Sequence, residues 1–235
     1  MIEARGLCKR FGAVDVLRGL DLRIARGRVT AIVGPNGAGK TTFIKSVLGL
    51  TRPDAGTLTF DGTTIGNDEA YRARIGYMPQ IARFPEHMTG EELLHLLRDL
   101  RGGDAVNEWL IDAFGLRGEL KKRLRVLSGG TRQKVNAVAA FLFSPDLYVL
   151  DEPTAGLDPV SAGILKGHIL RERANGHTVL LTSHIMSELD ELADDVIYLS
   201  DGQVRYSGAL DALKDSMGHV NLERAIAALM LKEAA

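Results

Sequence analysis

Two short stretches of the sequence combine residue types that can bind phosphate groups or take part in their hydrolysis. The first, at residues 34–42, reads GPNGAGKTT and matches the pattern G-x-x-x-x-G-K-[ST] in full. Glycines allow successive backbone N–H groups to converge on phosphate oxygens at the start of a helix. Lys40 would bridge the β- and γ-phosphates, and the Thr41 hydroxyl would bind Mg²⁺. The pattern therefore predicts a phosphate-binding loop composed of Gly34, Pro35, Asn36, Gly37, Ala38, Gly39, Lys40, Thr41 and Thr42.

The second stretch, DLYVLDEP at residues 146–153, places two acids directly after an apolar run. The run predicts a buried strand that delivers Asp151 to its end, where a carboxylate can hold Mg²⁺. Adjacent acids beside a core are costly unless a metal and a water use them. Glu152 is predicted to orient and polarise the attacking water, since a general base must lie within hydrogen-bond reach of its proton. Together, the two stretches indicate nucleotide hydrolysis.

A third stretch, LSGGTRQKV at residues 127–135, is also rich in glycine and precedes a helix-forming run. A helix start attracts anions because its unpaired N–H groups and the helix dipole favour negative charge. The chain would therefore contain two anion-binding helix starts. The first two stretches do not explain why a second one is present.

The elements that must position these residues alternate between strand and helix patterns. The apolar run RVTAIVG at residues 28–34 predicts a buried strand that enters the phosphate-binding loop. Residues 52–62 predict an antiparallel hairpin layer, and strand patterns return at residues 146–153, 177–184 and 195–204. The helix after the loop would bury one face, made of Phe43, Ile44, Val47 and Leu48.

Helical patterns dominate the middle and the end of the chain. Thr89 and Glu92 form a T-x-x-E capping box at the start of a predicted helix. We predict a single domain in which residues 1–82 and 146–215 form the nucleotide-binding core, residues 83–145 a helical subdomain and residues 216–235 a C-terminal helix. That last helix either packs on its own domain or serves as a docking or dimer element, through Leu222, Ala225, Ile226, Leu229 and Met230.

Composition narrows the class of protein. The 235 residues carry a formal net charge of −1, which gives no general attraction to nucleic acid, and we predict no nucleic-acid partner. The single cysteine, Cys8, cannot form an internal disulfide, which favours a reducing compartment. The apolar runs fall short of the ~18–20 residues that span a bilayer, so any membrane role is expected to come through a partner.

Taken in order, GPNGAGKTT, Gln80, LSGG, DLYVLDEP, AGLDP and His184 resemble the ATP-binding-cassette (ABC) ATPase family over almost the whole chain. The resemblance implies an α/β fold with a P-loop NTPase core of RecA-like type, an antiparallel β layer and an inserted helical subdomain. It also implies that Ser128, Gly129 and Gly130 bind the γ-phosphate of ATP held by another subunit. Two copies arranged head to tail, either a homodimer or a heterodimer, would then enclose two ATP molecules.

The resemblance assigns roles to further residues. Gln80 matches the glutamine that senses Mg²⁺ and the attacking water and links the core to the helical insert. Asp158 matches the residue that crosses the dimer to the opposite phosphate loop, and His184 matches the switch histidine that contacts the γ-phosphate. Phe11 matches the aromatic that stacks on adenine, although tyrosine is commoner there. Thr131 replaces the glutamine often found after LSGG, so a contact near the other subunit's phosphate is expected to differ.

The resemblance also implies a function. We predict the ATPase subunit of an ABC membrane transporter, held at the inner face of the cell membrane by a separate permease that contacts the groove after Gln80, with Phe84 as an exposed candidate contact. The motifs TAGLDP and LERAIAALM resemble those of ATPases paired with ABC-2-type export permeases, and among these the group serving copper-enzyme maturation, as in nitrous oxide reductase assembly. The alternative is a soluble ABC ATPase of iron–sulfur scaffold assembly. A small P-loop kinase would leave LSGG unexplained.

Overall fold

A computed structural model of the chain describes residues 1–66, 69–102, 106–218 and 221–234. The strands are β1 (Ile2–Phe11), β2 (Val14–Ile24), β3 (Val29–Val33), β4 (Ala55–Phe60), β5 (Thr63–Thr64), β6 (Ile75–Met78), β7 (Leu147–Asp151), β8 (Thr178–Thr182), β9 (Asp195–Ser200) and β10 (Gln203–Ala209). The α-helices are α1 (Lys40–Val47), α2 (Gly90–Arg101), α3 (Trp109–Ala113), α4 (Gly129–Phe141), α5 (Pro159–Ala174), α6 (Met186–Leu192), α7 (Leu210–Met217) and α8 (Leu222–Ala234).

The central sheet has the strand order β10-β9-β3-β8-β7-β6. All neighbours in it run parallel except β10, which pairs with β9 in an antiparallel hairpin. The predicted strand at residues 195–204 is therefore all of β9, a turn and the start of β10. Because parallel strands end at one edge, the loops that follow β3, β6, β7 and β8 meet there.

A second sheet, of order β2-β1-β4-β5, is antiparallel throughout and lies over one face of the central sheet. The two faces belong to different cores, as the alternation in β7 shows: Leu147 and Val149 pack with the antiparallel sheet and α1, whereas Tyr148 and Leu150 pack with the remaining helices. The side chains predicted to form the buried face of α1 are all in the first of these cores: Phe43, Ile44, Val47 and Leu48.

Helices α2, α3 and α4 lie between β6 and β7 in the chain, with two short 3₁₀ turns among them. Helix α2 begins with the predicted capping box, in which the Thr89 hydroxyl accepts from Glu92 N and the Glu92 carboxylate accepts from Thr89 N. Phe84, which we expected to be exposed, is half-buried against the helical core. The predicted division of the chain into core and helical subdomain stays a prediction.

Helix α8 packs on α6 and α7, so its apolar face is covered by its own domain. Leu222, Ala225, Ile226 and Leu229 are buried there, whereas Met230 is 44% exposed. Residues 219, 220 and 235 of the predicted C-terminal helix lie outside the described residues. In the part of the chain that the structure describes, no helix is both long and apolar enough to cross a membrane.

Candidate functional site

The phosphate-binding loop follows β3 and leads directly into α1. Two of its glycines are required by the backbone path. A Cβ at Gly34 would lie 2.1 Å from the Leu199 carbonyl oxygen. Gly39 is the N-cap of α1 and has a φ of 102°, and a Cβ there would lie 2.7 Å from the Leu17 side chain. Larger residues at either position would push the loop away from the strands that support it. The result is a helix start with free N–H groups at the edge of the sheet, as the pattern predicts.

Lys40 folds back over this loop. Its ammonium donates to the carbonyl oxygens of Gly34 at 2.6 Å and Pro35 at 3.0 Å. Burial lowers the pKa of the Lys40 ammonium, and the nearby carboxylates of Glu152 and Asp151 oppose that shift. A half-buried cation that donates its hydrogen bonds to neutral carbonyls is well placed to bind an anion.

The two acids lie at the end of β7, next to the end of β8. Thr182, the last residue of β8, donates its hydroxyl to Asp151 Oδ1 at 2.5 Å. Its carbonyl and hydroxyl oxygens also accept from Glu152 N at 3.1 and 3.2 Å. Glu152 has a φ of 53°, an uncommon and strained conformation for this residue type. Thr182 was not predicted, although a polar residue at the end of an apolar strand, just before His184, was a usable signal.

Glu152 faces His184, with its Oε1 2.9 Å from His184 Nε2. The pKa of the Glu152 carboxyl is raised, first because the group is partly buried and also because Asp151 and Glu188 lie nearby. His184 and Lys40 act in the opposite direction and favour the carboxylate. A carboxylate whose pKa lies above its usual range is a suitable general base.

A single pocket of about 510 Å³ brings most of the predicted residues together at the carboxyl edge of the sheet. Gln80 enters it from the loop after β6, and Val14 and Val16 enter it from β2; the two valines were not predicted. Phe11 lies outside this lining, 51% exposed, with the Lys9 ammonium 5.2 Å from its ring centroid. The pocket is lined by Val14, Val16, Asn36, Gly37, Ala38, Gly39, Lys40, Thr41, Thr42, Gln80, Asp151, Glu152, Thr182 and His184.

The LSGG residues do not line this pocket. Ser128 is the N-cap of α4: its hydroxyl accepts from Thr131 N at 3.1 Å and lies 2.8 Å from the Thr131 hydroxyl. Ser128 and Gly129 are exposed. The chain therefore has a second helix start open to solvent and separate from the first.

Asp158 is also exposed and lies beside this second helix start, outside the pocket. It caps α5 by accepting from Ser161 N at 2.9 Å and from the Ser161 hydroxyl at 2.7 Å. Lys134 of α4 lies 3.1 Å from Asp158 Oδ2. These bonds hold the pKa of Asp158 well below its usual range, so it is a carboxylate at neutral pH.

Comparison with known proteins agrees with this geometry. A family model described as ABC transporter matches residues 17–155. The chain belongs to the ABC transporter family. Its similarity extends beyond the matched segment: it is 37% identical to the daunorubicin resistance ATP-binding protein DrrA3 of Streptomyces coeruleorubidus, over 92% of this chain and 71% of the relative.

Two further comparisons place this ABC protein more closely. It is 35% identical to the Nod factor export ATP-binding protein I of Ralstonia nicotianae, over 86% of this chain and 65% of the relative. The solved structure described as an ATP-binding subunit of an ABC transporter superposes with a TM-score of 0.91 at 31% identity, over 98% of this chain and 99% of that one. The predicted fold class and the predicted ABC ATPase family are confirmed.

Proposed function

We propose that this cassette supplies the energy for an ABC-2-type exporter, working at the inner face of the cell membrane through its permease. Two relatives support export: one is named for drug resistance and the other for Nod factor export. The observation that carries the proposal is the pocket that joins the phosphate loop to Gln80, Glu152 and His184, with a second helix start outside it. Membership of the copper-enzyme maturation group stays a prediction.

In the proposed site, the loop N–H groups and Lys40 bind the phosphates of ATP. Thr41, Gln80 and Asp151 form a donor set that suits Mg²⁺, which prefers one or two carboxylates together with phosphate oxygens and water. The bound ion would neutralise charge on the transferred phosphate. Thr182 holds the Asp151 carboxylate in position for this role.

Glu152 is proposed to accept a proton from the attacking water. The contact with His184 fixes the direction of the Glu152 carboxylate, and partial burial keeps that carboxylate basic. His184 also lies in the pocket, where it can reach the terminal phosphate. The strained backbone at Glu152 is consistent with a functional position, because such strain clusters at active sites.

Ser128, Gly129 and Gly130 are proposed to complete the site of a second copy. They do not line the pocket of their own chain, yet they lie at the start of the 13-residue helix α4, and a helix start is the geometry that binds phosphate. Asp158 lies beside them and is placed to cross to the same partner. A head-to-tail dimer of two such chains would contain two complete sites.

A groove behind Gln80 is proposed to receive a cytosolic segment of the permease. It has a volume of about 410 Å³ and is largely apolar, with contributions from Leu48, Leu97, Phe84 and Phe143. Leu50 also lines it and is 63% exposed, so apolar surface is available to a partner. Pro79 lines the same groove and directly precedes Gln80 in the sequence, so the groove lies next to the Gln80 loop.

The charges around this groove favour an acidic partner segment. Arg72, Arg83 and Arg101 line it, and no carboxylate lines it among the described residues. The Arg101 guanidinium donates to the carbonyls of Ala73 and Ile75, and burial lowers its pKa. A carboxylate on the permease segment would compensate the positive charge of these arginines. We therefore propose a short permease helix with an apolar face and at least one acid.

Affinity purification of the native complex from membranes tests this function. We expect a multi-span membrane protein to co-purify with the wild-type chain, and Arg83→Glu to reduce its recovery severalfold because the groove would then repel an acid. Arg23→Glu, at an exposed position on β2, is the matched control and should leave recovery unchanged. Recovery of soluble partners alone would contradict the transporter proposal.

A further inference from the structure

The buried side of α4 carries two amide side chains where apolar residues would be expected. Asn136 is 1% exposed and Gln133 is 8% exposed, and the mechanism above uses neither of them. Buried polar groups persist when their hydrogen bonds are satisfied, since an unpaired one is costly. The partners of these two amides therefore indicate why they are there.

Asn136 binds the segment that carries Gln80. Its Nδ2 donates to the carbonyl oxygen of Pro79 at 2.7 Å, and Pro79 directly precedes Gln80. Helix α4 also approaches β6 closely, because a Cβ at Gly76 would lie 2.5 Å from the Ala140 carbonyl oxygen. The amide bond and this close packing fix the start of the Gln80 loop against α4.

Gln133 binds the turn that carries Glu152. Its Nε2 donates to the carbonyl oxygen of Pro153 at 3.3 Å, and Pro153 directly follows Glu152. Glu152 has the strained φ described above, so its turn needs contacts that prevent relaxation. The Gln133 amide supplies one of them from a different part of the chain.

The two amides are joined to each other. Asn136 Nδ2 uses its second hydrogen to donate to Gln133 Oε1 at 3.2 Å. Carbonyl oxygens only accept, so the Pro79 and Pro153 carbonyls fix the orientation of both amides and leave Gln133 Oε1 free to accept from Asn136. The result is one continuous chain of hydrogen bonds from Pro79 through Asn136 and Gln133 to Pro153.

We propose that Asn136 and Gln133 are positioning residues of the ATPase reaction, which hold Gln80 and Glu152 in one arrangement by binding the carbonyl group beside each of them. The inference rests on the roles proposed above for Gln80 and Glu152. Asn136 and Pro79 also line the permease groove, so the same bonds connect the floor of that groove to the Glu152 turn. Movement of α4 would displace both site residues together.

The test is a double-mutant cycle between Asn136→Leu and Gln80→Ala, measured as single-turnover ATP hydrolysis with enzyme in excess. Asn136→Leu alone should slow hydrolysis about tenfold, the order expected for one lost positioning contact. ATP affinity should stay within about twofold, since the amides do not touch the phosphate loop. In the Gln80→Ala background, Asn136→Leu should slow hydrolysis by less than about twofold, because the group it positions is gone.

Gln133→Met tests the end of the hydrogen-bond network that contacts the Glu152 turn. Methionine is similar in size to glutamine but makes neither of the two amide hydrogen bonds, so this variant should also slow hydrolysis about tenfold. The double variant Gln133→Met with Asn136→Leu should hydrolyse ATP almost as fast as the slower of the two single variants. Asn175→Leu, the same amide-to-apolar change at an exposed position, should have no effect. Thermal melting shows whether the Asn136→Leu variant folds. If it does not, the Asn136→Ser variant is used in its place.

The outcomes separate this inference from the proposed function. Suppose that Gln80→Ala slows hydrolysis and that the fold-reduction in the double variant equals the product of the two single reductions. The positioning role is then overturned, and the proposed function stands. If Gln80→Ala hydrolyses ATP at the wild-type rate, the role proposed for Gln80 fails, and the Asn136 arm of the inference fails with it. A wild-type rate in Gln133→Met would overturn the Glu152 arm.

Discussion

At the scale of single residues, the site depends on a balance of charge around Glu152. Burial and the neighbouring acids favour its neutral form, whereas His184 and Lys40 favour the carboxylate. Only the carboxylate can take a proton from water. Each neighbour therefore affects turnover through the protonation of Glu152 as well as through its own contacts.

Replacing His184 with Gln keeps a polar side chain but removes the imidazole whose electrostatic interaction favours the Glu152 carboxylate. The pKa of Glu152 should then rise further, so the acid limb of the kcat profile should move to higher pH. Single-turnover rates measured across pH would show the shift. An acid limb at the same pH in both proteins would contradict this electrostatic role.

Glu152→Gln removes the proposed base but keeps the size and polarity of the side chain. ATP binding should persist, because the phosphate loop is untouched, whereas hydrolysis should fall roughly 100-fold or more. The ATP-bound dimer should accumulate, since hydrolysis no longer separates it. Phosphate release and light scattering measure the two effects, and wild-type turnover would exclude Glu152 as the base.

Lys40→Ala removes the half-buried cation of the phosphate loop. ATP binding should be lost in calorimetry, because no other described side chain of the loop supplies a positive charge. Lys45→Ala is the control, since Lys45 lies on the exposed side of α1. Unchanged nucleotide affinity in Lys40→Ala would refute the assignment of the loop.

At the scale of elements, helix α2 gives a stability test independent of the nucleotide site. Thr89→Ala removes the hydroxyl that accepts from Glu92 N and should lower the free energy of unfolding by about 1 kcal/mol. Thr89→Ser keeps a capping hydroxyl and is the control. Denaturant unfolding measures both variants, and equal stability of Thr89→Ala and the wild type would show that the cap contributes nothing.

Features that are encoded by a few adjacent residues can be predicted from the sequence. The phosphate loop and the acids after β7 follow local rules, because glycine content, strand pattern and charge lie within a few adjacent residues. The capping box of α2 is similarly local. All three were predicted where the structure has them.

The residues that we missed act over long distances in sequence. Thr182, Gln133 and Asn136 are ordinary polar residues in strand or helix patterns, and their importance comes from partners on other elements. Val14 and Val16 reach the pocket only because β2 lies over its edge. Met230 follows the helical period of its neighbours, yet it is exposed.

At the scale of the whole molecule, the exposed start of α4 gives a test of the dimer. Ser128→Arg places a long cation where the partner's nucleotide should dock, so it should block ATP-induced dimerisation while monomers still bind ATP. Ser207→Arg, at an exposed position on β10, is the matched control. Light scattering with ATP measures the dimer, and a normal dimer in Ser128→Arg would exclude the role proposed for LSGG.

The separation of Ser128 from the phosphate loop has a genetic consequence. A chain with Lys40→Ala keeps an intact LSGG segment, and a chain with Ser128→Arg keeps an intact phosphate loop. When both are made in one cell, a mixed pair can assemble one whole nucleotide site from the sound half of each. Two alleles that each fail alone are therefore expected to complement one another, which defects confined to one half of the site would not do.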